Sequence, residues 1–298
     1  MSPDIRKLRG TLTALVTPMN RDGSIDFGAL DALVDTQIES GINGLVPCGS
    51  TGEAATMTAI EREQIITRVV KKVAGRVVVI AGAGGMGTLE AIDNQKRAAG
   101  SGAACALVAT PAYNRPTPEG LYRHYAALLD AVDFPTMLYN VPSRTGTDML
   151  PATVGRIAAL SGIVGIKEAT GDLDRVAAIR ALTPPEFLHF SGDDPSACAY
   201  VLLGGHGVIS VASNFAPKLM ASMIRAALDG KVEIARSEHR ELRPLFAAMA
   251  LQSNPLPVKA ALAMRGTIQE YYRLPLCEMN QEPRARLEEI LRQNGWLS

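Results

Sequence analysis

Apolar and polar positions along the chain follow two alternating periods. Short, β-branched or apolar runs at 12–18, 44–48, 77–81, 105–110, 136–140, 163–168, 187–191 and 207–211 read as buried strands. Each is separated from the next by a segment whose apolar residues recur at helical spacing, at 27–40, 58–74, 88–100, 117–132, 151–160, 172–182 and 195–203, and 217–228 follows the last. Pro151 and Pro217 stand where a helix begins. Eight strand-then-helix units predict a parallel (β/α)8 (TIM) barrel, and their even spacing favours closure over an open doubly wound sheet. Beyond 228 the strand pattern stops, and 231–250, 256–272 and 281–294 read as helices. The expected organisation is a catalytic barrel over 1–228 and a C-terminal helical extension over 229–298.

The run Ile163-Val-Gly-Ile-Lys-Glu-Ala169 carries the first chemical signal. Strict alternation puts Val164 and Ile166 on the face under the helices. The other face then carries Ile163, Gly165, Lys167 and Ala169. Two small residues leave room beside the lysine, and burial favours the neutral amine that attacks a ketone to give a Schiff base. The alternative is a lysine that snorkels from the strand end or pairs with Glu168.

Composition removes whole classes of function. Of 298 residues, 47% are hydrophobic, and 30 Lys+Arg balance 30 Asp+Glu, so no charge excess steers the chain to nucleic acid or an anionic membrane. Lys71, Lys72 and Arg76, and Arg284 and Arg286, read as solvated helix faces. The stretch MSPDIRKLRG lacks the apolar core of a signal peptide, and no apolar run reaches the about 18 residues of a membrane span. Cys48, Cys105, Cys198 and Cys277 are widely spaced. They read as small apolar residues of a reduced, cytoplasmic enzyme.

In such a barrel the chemistry collects at the C-terminal ends of the strands. Gly49-Ser-Thr-Gly-Glu53 sets two hydroxyls between glycines and suits a small anion, or is an ordinary loop with capping hydroxyls. Tyr113 and Tyr139 can relay a proton through a hydroxyl such as Ser50, or are structural phenols. Arg144 can hold a carboxylate bidentately, or is a solvated loop residue. Gly82-Ala-Gly-Gly-Met-Gly87 matches a dinucleotide-binding pattern, but the next strand offers no acid for a ribose, so a glycine-rich turn is preferred. The four histidines form no ligand spacing, and Asp193-Asp194 fits helix capping at Pro195 better than a cation.

Five motifs occur in order over nearly the whole chain: Gly49-Ser-Thr-Gly-Glu53, Tyr139-Asn-Val-Pro-Ser-Arg-Thr-Gly146, Gly165-Ile-Lys-Glu-Ala169, Ser191-Gly-Asp-Asp194 and Asn254-Pro-Leu-Pro-Val-Lys259. Together they resemble the dihydrodipicolinate synthase/N-acetylneuraminate lyase family. The run after Tyr139 resembles its synthase branch in particular, because the sialic acid lyases differ there and lack the arginine. The resemblance implies that Lys167 forms a Schiff base with pyruvate and that Tyr139 shuttles protons to the adduct. Ser50 and Tyr113 would complete the relay, Tyr113 from a neighbouring subunit of a homo-oligomer, a dimer or dimer of dimers. Thr51 would bind the pyruvate carboxylate, with Ile209 and Gly192 lining the pocket, and Arg144 would hold L-aspartate 4-semialdehyde. No metal or organic cofactor is implied.

Two positions depart from the synthase pattern. Ser50 replaces the usual threonine and is what sialic acid lyases carry, so another pyruvate-dependent aldolase is the runner-up. Ala112 stands where many synthases have a second tyrosine. Lysine-responsive members of the family bind L-lysine near positions matching 54–62, 84–90 and 112. This chain offers Ala54, Ala55, Ala59, Arg62, Met86 and Ala112 there and keeps only Gly84 and Glu90. Weak or absent inhibition by L-lysine is therefore expected.

Overall fold

A computed structural model describes residues 5–297. The residues Met1–Asp4 of the stretch read for a signal peptide lie outside it. Eight parallel strands close in sequence order into one barrel: β1 (Gly10–Ala14), β2 (Gly44–Val46), β3 (Val78–Gly82), β4 (Cys105–Ala109), β5 (Thr136–Asn140), β6 (Ile163–Glu168), β7 (Leu188–Ser191) and β8 (Gly207–Ser210). Around it run α1 (Phe27–Glu39), α2 (Ala59–Val73), α3 (Thr88–Gly100), α4 (Pro118–Ala131), α5 (Pro142–Thr145), α6 (Pro151–Ala158), α7 (Asp174–Arg180), α8 (Ala197–Leu202) and α9 (Pro217–Leu228). The extension adds α10 (Val232–Met249), α11 (Leu256–Met264) and α12 (Gln281–Gln293), with α10 packed along α9.

The two faces of each strand build two cores. Leu12, Val46, Ile80, Leu107, Met137, Phe190 and Ile209 fill the barrel interior. Leu45, Val79, Val108, Leu138, Ile166 and Val208 pack outward under the helices and join the extension through Leu242, Leu245 and Leu287. Closure requires β1 and β8 to approach closely. A side-chain carbon on Gly207 would sit 1.9 Å from the Gly10 carbonyl oxygen, so only glycine fits. Helix starts follow local chemistry. Thr58 and Glu61 form a reciprocal capping box at α2, and Thr117 caps α4 ahead of Pro118.

Several boundaries move. β1 starts two residues earlier than its apolar run and stops at Ala14, although Leu15 and Val16 stay buried. α11 ends at Met264 instead of reaching 272, because Gly266 takes a left-handed backbone that closes the helix. The Pro142–Thr145 turn is a full helical turn.

One face assignment is corrected. Register along β5 and β6 pairs Thr136 with Ile163 but Met137 with Gly165, so Val164 is an extra residue in a bulge. A bulge flips the alternation. Ile163 packs outward with the helices, and Val164 packs against the interior core. Above the bulge, Ile166 outward and Lys167 inward hold as expected.

The basic groups are more engaged than a solvated face requires: Lys72 pairs with Asp35, Arg284 with Glu270 and Arg286 with Glu289. Cys48, Cys105 and Cys198 are buried free thiols, and burial pushes Cys48 up to about 12; Cys277 differs in being exposed. Among the described residues no helix is long and apolar enough to cross a membrane.

Candidate active site

Lys167 ends β6 on its inward face. Strand register sets it beside Tyr139 of β5 on one side and Phe190 of β7 on the other. Its ammonium lies 4.4 Å from the centre of the Tyr139 ring. Only 5% of the lysine is exposed, and among the described residues no carboxylate lies within ion-pair distance of it. Glu168 faces the other way, where it accepts hydrogen bonds from Arg175 Nε at 3.2 Å and from Asn140 Nδ2. Pairing with Glu168 is therefore not what holds Lys167.

Gly192, just beyond β7, leaves the lysine its space. A side-chain carbon there would lie 2.8 Å from Lys167 Cε and 2.6 Å from Ala169 Cβ. Ile209 of β8 is fully buried in the interior core with Tyr139. A buried amine on an aromatic face, with small residues around it, can attack a ketone to form an imine. Of the two acids after β7, Asp193 caps the following turn by accepting from Ser196 N. Asp194 instead reaches β8 and accepts from Val211 and Ala212 N, and burial raises its pKa.

The second half of the site stands on loops. The loop after β2 is flanked by Cys48 and Glu53, both non-glycine residues in left-handed backbone. Such strain gathers where a loop is held in a functional shape. Thr51 is buried, and its Oγ1 accepts from Asn254 Nδ2 at 2.9 Å. Ser50 is exposed on the same loop. Arg144, exposed on α5, donates from Nη2 to the main-chain oxygen of Asn254 at 3.0 Å. Tyr113 is 86% exposed on a left-handed backbone. Within one chain no hydrogen bond among the described residues joins the hydroxyls of Tyr139, Ser50 and Tyr113.

The glycine-rich segment after β3 is a turn, held by Asn94 Nδ2 on the Gly84 oxygen and by Glu90 accepting from Met86 N. Among the described residues no group of three or more His, Cys, Asp or Glu is placed to hold a metal.

Sequence reasoning quoted Asn254 and Lys259 without giving them a task. Lys259 lies fully buried in α11 against Glu53 and 5.1 Å from the centre of the Tyr272 ring; burial lowers its pKa, opposed by Glu53. A signal was available. Lys259 is the one charge in the apolar helix Leu-Pro-Val-Lys-Ala-Ala-Leu-Ala-Met, and a lysine buried there needs a carboxylate.

Comparison with known proteins gives one answer over nearly the full length. Residues 7–294 match the model of the Dihydrodipicolinate synthetase family. The 4-hydroxy-tetrahydrodipicolinate synthase of Methylococcus capsulatus is 51% identical over 290 residues, covering 97% of this chain and all of that protein. The chloride-inhibited dihydrodipicolinate synthase of Acinetobacter baumannii, solved in complex with pyruvate, superposes with a TM-score of 0.94. It is 42% identical, with 97% of this chain and 99% of that one covered. The lysine-bound enzyme of Cyanidioschyzon merolae gives 0.93 at 38% identity, with 98% and 99% covered.

Proposed function

We infer the reaction from one premise: the chain belongs to the dihydrodipicolinate synthetase family. It condenses pyruvate with L-aspartate 4-semialdehyde to 4-hydroxy-tetrahydrodipicolinate, a step of lysine biosynthesis by way of diaminopimelate. The observation that carries this reading is the buried Lys167 ammonium over the Tyr139 ring at the C-terminal mouth of the barrel.

Lys167 Nζ attacks the pyruvate ketone, and water leaves as the imine forms. A methyl proton is lost to give the enamine, with the iminium as electron sink, so neither metal nor organic cofactor takes part. The enamine carbon bonds to the aldehyde carbon of the semialdehyde. The substrate's own amino group then displaces Lys167 and closes the ring. Tyr139 moves protons to and from the adduct, relayed through Ser50 and Tyr113. Thr51 holds the pyruvate carboxylate, Ile209 and Gly192 shape its pocket, and Arg144 holds the carboxylate of the semialdehyde. Residues 1–228 carry the reacting groups and 229–298 buttress them.

Tyr113 does its work in a neighbouring copy. A tyrosine so exposed, with exposed Met86, Leu89 and Ile60 as further apolar surface, suits burial in an isologous dimer or dimer of dimers. The enzyme works in the cytoplasm. L-lysine inhibits weakly or not at all. Glu90 is engaged by its own loop, and Arg62 donates to the Ala54 oxygen and adds a like charge near the amines of a bound lysine. A lysine titration of the assay tests this, and strong inhibition below millimolar would refute it.

Incubation with pyruvate and borohydride tests the reaction. One pyruvate-derived mass should appear on Lys167 and vanish in Lys167→Ala. A label on Lys259 instead, or faster turnover of N-acetylneuraminate than of the semialdehyde, would overturn the reading.

A further inference from the structure

We propose that Asn254 is a positioning residue that fixes the donor direction of the Thr51 hydroxyl, and with it the affinity for the pyruvate carboxylate. The inference rests on the reading of Thr51 given above. A threonine hydroxyl has one proton to donate and lone pairs to accept with. Asn254 Nδ2 occupies a lone pair of Thr51 Oγ1 at 2.9 Å. The hydroxyl donates to no protein acceptor among the described residues, although Thr51 is only 3% exposed. Its proton is thus directed away from Asn254 and kept for another acceptor. A carboxylate is an acceptor only, so this polarity matches it.

Three further features fit a positioning role. The Asn254 Oδ1 atom is buried with no partner. Buried unpaired acceptors are rare and costly, and a chain retains them where geometry serves function. The main-chain oxygen of the same residue receives Arg144 Nη2 at 3.0 Å, so one residue touches both groups assigned to substrate carboxylates. Its place is fixed from both sides, because α11 begins two residues on and Lys259 of that helix pairs with Glu53 of the Thr51 loop.

Asn254→Asp puts a second acceptor where the amide donor stands and leaves the main-chain carbonyl in place. The Thr51 proton would then turn toward the new carboxylate, and only lone pairs would face pyruvate. The test measures borohydride-trapped imine against pyruvate concentration, with steady-state constants for both substrates and the thermal midpoint. We expect half-trapping to need at least roughly tenfold more pyruvate. The KM for the semialdehyde, and kcat at saturating pyruvate, should stay within about threefold. Adding Asn254→Asp to Thr51→Val should cause little further loss, because the two residues act through one contact.

Wild-type pyruvate affinity in Asn254→Asp, or equal loss in every constant together with a lowered midpoint, overturns the proposal. Should that variant not fold, Asn254→Ala removes the donor without adding charge. It should raise the pyruvate requirement by a few-fold, and only while Thr51 is present; a rise that persists in Thr51→Val overturns the idea. No trapping in the wild-type chain would sink the reaction and this proposal together, whereas trapping with unchanged affinity in the variants sinks the proposal alone.

Discussion

The two halves of the site are built by different means. The strand-borne half, Tyr139–Lys167–Phe190, stands on three adjacent strands whose register places each residue beside the next. It is buried and belongs wholly to one chain. The other half, with Ser50, Thr51, Tyr113 and Arg144, stands on loops and one short helix; only Thr51 among them is buried. The C-terminal extension holds part of it, through Asn254 on Thr51 and Arg144 and through Lys259 on Glu53. A strand end fixes a side chain through a ladder of backbone bonds. A loop needs an external hold, and here that hold begins 203 residues away in sequence, at Asn254 on Thr51.

The largest expected effect breaks that hold. Lys259→Met leaves the Glu53 carboxylate buried without its cation, which should cost about 3–5 kcal/mol of stability in denaturant unfolding. Adding Glu53→Gln should recover part of it; no recovery would mean that the pair does not couple extension to loop. On the strand-borne half, Gly192→Val forces a carbon into the space of Lys167 Cε. A displaced reacting group should slow imine formation roughly a hundredfold by stopped-flow trapping, with the semialdehyde side spared.

The loop-borne half gives smaller numbers. On the role proposed for Arg144, Arg144→Ala removes a guanidinium–carboxylate contact worth about 1.5–3 kcal/mol. Use of the semialdehyde should fall roughly ten- to a hundredfold while pyruvate trapping persists. If pyruvate trapping falls equally, the two halves are not separate. Mixing inactive Tyr113→Phe and Lys167→Ala subunits should restore about a quarter of the wild-type sites after full exchange, since one site in each mixed dimer regains both groups. No recovery after verified exchange would place Tyr113 in its own chain's site.

The smallest effect concerns the outer brace. A hydrogen bond from Arg273 is the main cause that holds the Glu61 carboxyl down at about 2. A depressed carboxyl stabilises the fold above its ordinary value near 4.5, and that contribution is lost as pH falls toward about 2. Glu61→Gln should therefore narrow the gap to wild type as pH drops through this window. A constant difference in urea midpoint would argue against the linkage.

Much of this was legible in one dimension. Strand and helix periods gave the barrel because a closed parallel sheet buries both faces of every strand, and that burial is written as apolar runs. The rule that chemistry gathers at strand ends pointed to Lys167, Tyr139, Thr51 and Arg144 before any coordinate. The bulge at Val164 was not legible, because an inserted residue changes which face a side chain takes without changing composition. The role of Asn254 was not legible either. Its polarity toward Thr51 exists only once α11 is packed against the loop after β2. Alternation and turn chemistry act between near neighbours and can be read along the chain. A hydrogen bond across 203 residues is decided where surfaces meet, and no local pattern encodes it.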